Sequence, residues 1–488
     1  MFKMSSLLKG GRLAATRREV VNFISSLNDD KRIAHATVLI NEAHVIALAK
    51  AKAIDLNDAR RLLRALRQLE RHVPLREGVE DVHLLVEEHV IKHTGRDVGG
   101  QLHLAKSRND QVVTAIRMVL RNELLEVSDQ LLLLGNELLQ VASKHLKSIF
   151  PGYTHLQPAQ PITFAHYLSA IADSFLRDAE RLGQAYRRVN VSPMGAGALA
   201  GSSLKLNRAL EAELLGFDGI ITNTLDAVGS RDFALEALSA FTMTALDISR
   251  VTQDIIFYSS ADVGILEIPD EFTSTSSIMP QKKNPDPLEL IRAISATVFA
   301  DFTTAATILH GLPSGYNLDF QEITPSVWHA SDTLKSCLEI LTQLAPGLKP
   351  KETITQRTHL QYTASTEIAN ILVREEKLPF RSAHRAVGRI VKIALKQNKR
   401  LSQLTATDWE RELGKKLSKR TVASIEEALD LKKHIWRYAT KGSPNPRETA
   451  RMVQSETRKV RLLFKTNARY RATLNRSLRK LRSMAREI

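Results

Sequence analysis

Cysteine is nearly absent: Cys337 is the only one in 488 residues, so no internal disulfide can form and the apolar core must carry the fold. Nowhere do about twenty apolar residues run together without charges or breakers, which argues against a membrane-spanning helix. The opening stretch MFKMSSLLKGGRL lacks the continuous apolar segment of a secretory signal, and a cytoplasmic protein is expected. Zinc-ligand spacing, RNA-binding aromatic motifs, internal repeats and low-complexity tracts are also missing. Acidic side chains are the scarcer sign, 53 against 69 basic ones, for a net charge of +16.

That basic excess admits a nucleic-acid-binding class. It is spread along the chain, however, and only residues 447–488 are strongly biased, with Arg458, Lys459, Arg461, Lys465, Arg469, Arg471, Arg476, Arg479, Lys480, Arg482 and Arg486. Leu462, Leu463, Tyr470, Leu474, Leu478 and Leu481 recur there in a partly helical rhythm. A basic amphipathic helix, docked with a solvated face, is preferred over a nucleic-acid contact, and the milder effect of the charge is attraction of anionic substrates.

What is abundant is apolar helix pattern, within 43% hydrophobic residues. Val112, Ile116, Val119, Leu120, Leu124, Val127, Leu131, Leu134, Leu138 and Val141 keep helical spacing from Asn109 to about Lys147 without a proline. Comparable patterns run from about Pro161 to Val189, about Ser230 to Ser260, Pro287 to about Leu309 and about Pro325 to Leu344. Five long helices predict a bundle. Stretches such as LLLLGNELLQVA and FALEALSAFTMTAL are apolar over more than one face, so further subunits are expected to cover them. The cluster KGSPNPRE marks a turn before the last helix. A chain of this length divides into two or three domains.

The chemistry concentrates in Thr273–Glu289, TSTSSIMPQKKNPDPLE. Ser276 and Ser277 offer a base or nucleophile, Lys282 and Lys283 offer cations, and Asn284 offers an amide donor. Such a set suits removal of a proton from carbon beside a carboxylate, because fixed donors stabilise the charge that spreads onto the carboxylate oxygens. The same residue types also make a polar surface loop. Composition alone leaves both readings open.

This run resembles the signature GSSxMPxKxN of the fumarase/aspartase superfamily, matching at Ser276, Ser277, Met279, Pro280, Lys282 and Asn284. Thr275 stands at the glycine position, which implies ordinary dihedrals there. SRNDQ at Ser107–Gln111 and GYTHLQPAQP at Gly152–Pro161 follow the superfamily order. GGR at Gly10–Arg12, EDVH at Glu80–His83, LDAVGSRDF at Leu225–Phe233, GLPSGYNLDFQE at Gly311–Glu322 and PFRSAH at Pro379–His384 are similar to the argininosuccinate lyase family in particular.

The resemblance implies an all-α fold of three helical domains, with a central long-helix bundle that associates into a tetrameric core. Boundaries follow at 1–105, 106–360 and 361–488, the last with the basic tail. It further implies a homotetramer with each active site shared among three subunits, and reversible β-elimination of argininosuccinate to arginine and fumarate, the last step of arginine biosynthesis. No metal or organic cofactor is expected.

By the same resemblance Ser276 is the general base, and Lys282 and Asn284 hold the substrate carboxylate and stabilise the carbanion. His155 is the general acid, charged and oriented by Glu289, with Thr154 beside it. Ser107 and Asn109 contact the fumarate portion from the start of the longest helix and Arg108 assists in binding it, although Ser107 also reads as an N-cap. Asp81, His83, Arg231, Tyr316 and Gln321 line the site or grip the arginine half. Lys283 reads as a solvated neighbour.

Departures from the family pattern are Lys106 at an arginine position, Thr324 at that of a substrate-binding lysine and Asn41 at that of a substrate-binding serine. They keep a second fumarate-releasing lyase, such as an adenylosuccinate lyase, as the alternative. A non-catalytic structural or nucleic-acid-binding protein is the lesser one.

Overall fold

A computed structural model describes residues 16–357, 360 and 362–488; the GGR motif at Gly10–Arg12 lies outside them. The principal helices are α1 (Ala34–Lys50), α2 (Leu56–Arg67), α3 (Val82–Thr94), α4 (Arg108–Lys144), α5 (Phe164–Val189), α6 (Asp232–Ser259), α7 (Asp286–Leu309), α8 (Thr324–Leu344), α9 (Ser365–Glu376), α10 (Phe380–Lys396), α11 (Lys419–Leu429) and α12 (Pro446–Glu487). Strands are few and short. The antiparallel ribbons used below are β1 (Ile149–Thr154) with β2 (Gln157–Thr163), and β3 (Ser274–Thr275) with β4 (Lys283–Asn284).

Helix α4 shows how the sequence fixes the bundle. Ser107 caps it while the Asp110 carboxylate accepts from the Ser107 backbone N–H, so two orphan donors of the first turn are satisfied reciprocally. No proline interrupts the next 37 residues, about 55 Å of helix. Its apolar positions are buried on nearly every side because α5, α8, α12 and α1 all pack on it. Helices α6 and α7 complete the layer, α6 against α5 and α7, and α7 against α8.

The expected start of α5 at Pro161 is corrected to Phe164. Gln157–Thr163 pairs with Ile149–Thr154 instead of joining the helix, and Thr163 caps it by accepting from the His166 N–H at 3.1 Å. Pro158 and Pro161 carry no N–H for a helical ladder, which favours the extended path.

Two cores form. The larger unites α1 to α8 with Val453, Val460, Leu481 and Ala485 of α12. The smaller joins Ile149 to residues between Ala364 and Ile435, including Ile368, Leu372, Val387, Ile390, Trp409 and Ile425 of the C-terminal helices. Helix α12, although last in the chain, therefore packs back along α4 and α5 and not on α9 to α11. No helix among the described residues is long and apolar enough to cross a membrane.

Candidate active site

Where α4 begins, five distant segments meet. The stretch before α1, the start of α3, the start of α4, the loop before α6 and the segment before α8 enclose a cleft of about 160 Å³. Asp81, Arg108, Asn109, Arg231, Tyr316 and Gln321 all line it, together with Thr324.

Each side chain is held for a local reason. Asp81 is the N-cap of α3; its Oδ1 accepts from the Leu84 N–H at 2.8 Å, which leaves Oδ2 for Arg108 Nη1 at 3.1 Å. Burial raises the Asp81 carboxyl above its ordinary range, and the Arg108 guanidinium opposes that rise. Asn109 donates through Nδ2 to the Ala198 carbonyl at 3.1 Å, and Gln321 through Nε2 to the Ile24 carbonyl at 3.2 Å.

Arg231 is the unusual member. It is 3% exposed and has no carboxylate partner among the described residues; Nη1 donates to the carbonyls of Ser230 at 2.8 Å and Val228 at 3.2 Å. The guanidinium carbon sits 4.3 Å from the centroid of Phe320. Burial pulls its pKa down to about 10, which still leaves it charged at neutral pH. Its Nε and Nη2, and Nη2 of Arg108, are buried without a hydrogen-bond partner among the described residues. Unsatisfied buried donors are costly, and two guanidiniums presenting them to one cleft suit a carboxylate.

Sequence reasoning missed the opposite pole. Ser26, Asp29, Asp30 and Glu80 also line the cleft, and the signal available was the polar run SSLNDD in an otherwise apolar region. Asp30 Oδ2 accepts from the Ser26 hydroxyl at 2.9 Å and the Val82 N–H at 3.0 Å, yet burial outweighs both and pushes its pKa up to about 7. Its proton is held in the folded chain at pH values where the unfolded chain, near 3.8, has released it. Stability from this group therefore falls as pH rises through that window. Asp30→Asn is expected to leave the unfolding midpoint unchanged near pH 4 and to raise it near pH 8, which melting curves across that range will check.

The remaining expected residues lie elsewhere. Ser107, the α4 N-cap, does not line the cleft. His83, only two positions from Asp81, points into the protein: it is 4% exposed, and neither ring nitrogen has a partner among the described residues. Burial holds its imidazole neutral, with a pKa well below the usual value. His83 does not line the cleft.

Thr154 and His155 form the tip of the β1–β2 ribbon, exposed, with His155 and Leu156 at φ 55° and 57°. Non-glycine residues pay for that left-handed turn, a conformation that often marks a functional tip.

Ser276 and Lys282 sit on the loop between β3 and β4, and Asn284 on β4; Lys282 is exposed, and Ser276 and Asn284 are half-buried. Ser276 Oγ accepts from the backbone N–H of Met279 at 3.2 Å and of Ile278 at 3.4 Å. Thr275 is extended and paired with Lys283, so the glycine position of the family pattern needs no positive φ here. Lys283 is exposed, as expected of a solvated neighbour, and its ammonium also reaches the Ile268 carbonyl and Asp270 Oδ1, the latter at 2.6 Å. Glu289 is exposed in the first turn of α7. Within one chain none of Thr154, His155, Ser276, Lys282, Asn284 and Glu289 lines the cleft.

The departures also find places. Asn41 is buried in α1, donates to the Thr37 carbonyl at 2.8 Å and accepts from Lys106, itself buried. Both side chains are thereby engaged with each other, and neither lines the cleft. Thr324 does line it.

Comparison with known proteins places the chain among named relatives. A family described as "Lyase" matches residues 14–300, and one described as "Argininosuccinate lyase C-terminal" matches residues 362–435. A protein of Methanothrix thermoacetophila named argininosuccinate lyase is 39% identical over 97% of this chain and 98% of its own length. The chain belongs to the argininosuccinate lyase family. A second such lyase, from Methanocaldococcus jannaschii, is 36% identical over 92% of this chain and 93% of its own. Among solved structures, EDDS lyase in complex with formate superposes with a TM-score of 0.88 at 25% identity, covering 98% of this chain and 96% of that one. A class II fumarase from Schistosoma mansoni shares the fold, with a TM-score of 0.70 at 16% identity over 86% of this chain and 96% of that one. The all-α expectation for the fold holds, with the short ribbons added to it.

Proposed function

We propose that the chain is an argininosuccinate lyase, cleaving argininosuccinate to arginine and fumarate in the last step of arginine biosynthesis. The observation that carries this reading is the two-signed cleft. Arg108 and Arg231 offer buried donors for carboxylates, and Asp29, Asp30, Glu80 and Asp81 line the same cleft, the last two beside Arg108, as acceptors for a cationic guanidino or ammonium end. Argininosuccinate has both kinds of group.

In the proposed reaction Ser276 removes a proton from the carbon beside a carboxylate. The electron pair then forms the double bond of fumarate as the carbon–nitrogen bond breaks, and His155, charged by Glu289, protonates the departing nitrogen. Two backbone N–H groups already directed at Ser276 Oγ favour its ionised form, and Lys282 and Asn284 are suited to the carboxylate that takes up charge.

A homotetramer with sites shared among three subunits is part of the same proposal. The outer stripe of α6 carries Met243 and Leu246, and α7 carries Leu290 and Phe299, between 39% and 61% exposed in one chain. Contiguous apolar faces of this kind on long helices are normally covered by other copies. Such packing can carry the His155 ribbon and the Ser276 loop of neighbouring chains to the cleft, consistent with their distance from it within one chain.

The deciding assay follows the ultraviolet absorbance of fumarate on mixing the protein with argininosuccinate, with adenylosuccinate and aspartate in parallel. Signal from argininosuccinate alone is expected; signal from another substrate alone overturns the specificity.

Arg231→Met tests the cleft directly. Each charge-assisted hydrogen bond lost costs about 1.5–3 kcal/mol, so KM is expected to rise about 10- to 100-fold. The unfolding midpoint should stay level or increase, because an unpaired buried charge has been replaced by an apolar chain of similar length. An unchanged KM removes Arg231 from substrate binding.

A further inference from the structure

Between Glu456 and Glu487 helix α12 carries eleven basic residues and no acidic one. The structure sorts these cations into two sets. Lys459, Arg471, Lys480 and Arg482 flank the docked face and pair with Asp173, Asp129, Glu213 and Glu70 of the body. Arg458, Arg461, Lys465, Arg469, Arg476, Arg479 and Arg486 are all exposed and have no ion pair or hydrogen bond to another described residue.

Their spacing of 3, 4, 4, 7, 3 and 7 residues holds these seven within one face of the helix, roughly 100° of arc. Val453, Val460, Leu474 and Leu481 are buried on the opposite face. The result is a rigid row of cations about 42 Å long at 1.5 Å per residue. Like charges at i,i+3 and i,i+4 destabilise a helix, and no acidic side chain among the described residues pairs with this row to offset the repulsion.

We infer that this face of α12 is a binding surface for the phosphodiester backbone of a nucleic-acid duplex, read without regard to sequence. A duplex presents phosphates at regular intervals over the whole length of the row, and each neutralised phosphate releases a counterion. Base readout is not built in: the row holds no amide or aromatic side chain, Tyr470 being stacked on Tyr186 at 4.2 Å between centroids, so stacking of single-stranded bases has no platform. A lipid surface fits less well, because the apolar face an amphipathic helix inserts is already buried against the bundle. The inference does not depend on the lyase reading.

The test is fluorescence anisotropy of a labelled 30-base-pair duplex with the full-length protein over a salt series, alongside the triple variant Arg461→Gln, Arg469→Gln, Arg476→Gln. Seven phosphate contacts give a log–log salt slope of about −6 and a loss of about 4,000-fold in affinity from about 50 to about 200 mM salt. The triple variant is expected to flatten that slope by about 3 and to weaken binding on the order of 100-fold or more at about 100 mM. Fumarate release should be unchanged, since the three side chains touch neither the core nor the cleft, and the unfolding midpoint should hold or rise slightly as like-charge repulsion along the row is relieved. No duplex binding at low salt, an unaltered slope in the variant, tighter binding to a single strand of equal length, or binding to phosphatidylserine vesicles without binding to the duplex each overturns the proposal.

Discussion

Replacing Ser276 by alanine is expected to lower the rate of fumarate release by about 10³-fold or more while the protein folds and melts as before. The side chain contacts nothing in either core; its oxygen only accepts from the Ile278 and Met279 N–H groups of its own loop. Loss of the hydroxyl therefore removes the proposed base and little else. A serine hydroxyl is a weak base, and the reaction depends on whatever stabilises its ionised form: the two N–H donors, Lys282, and exclusion of water when the loop meets a neighbouring chain. The measurement is steady-state fumarate absorbance together with a melting curve. Turnover like that of the unaltered protein removes Ser276 from the mechanism.

Mixing two inactive variants should restore activity. Ser276→Ala and His155→Asn each remove one partner of the proposed acid–base pair. The two residues sit on separate projecting ribbons, and neither lines the cleft of its own chain. When a site draws its serine from one chain and its histidine from another, random mixing gives half the sites an intact serine and half of those an intact histidine. About a quarter of the sites then work, as expected for a closed symmetric oligomer with statistical exchange. The two proteins would be unfolded, mixed, refolded and assayed beside each variant refolded alone. No recovery, in samples shown by mass to contain mixed oligomers, means that one chain supplies both groups.

The bundle was legible in the sequence almost to the residue. The apolar rhythm from Asn109 to about Lys147 became Arg108–Lys144, and the expected Pro287 to Leu309 became Asp286–Leu309. Long amphipathic patterns with a cap and no proline leave little choice of secondary structure. Short ribbons were not legible. Gly152–Pro161 and Ser274–Asn284 have no alternation of apolar and polar residues, and their pairing depends on turn geometry: the left-handed His155–Leu156 pair in one case and the Lys283 ammonium folded onto Asp270 in the other.

The cleft was legible only as scattered names. Asp81, Arg108, Arg231 and Tyr316 are distant in sequence, and no periodicity states that they converge. His83 shows the limit of local reasoning: it shares the EDVH motif with Asp81, but one residue caps the helix and the other is inside its first turn, so they face opposite environments. Ser26, Asp29 and Asp30 carried no motif, and only their placement in one cleft with two guanidiniums gives them meaning.

By itself, then, the sequence determined the helical class, the long-helix boundaries and the family, because periodicity, capping and ordered motifs are local properties of the chain. Tertiary structure decided which cations are paired and which face solvent along α12, which histidine is buried, and that one chain's cleft is lined by neither His155 nor Ser276. Those outcomes depend on packing between segments hundreds of residues apart, where burial and neighbouring charge, and not residue type, set what a side chain can do.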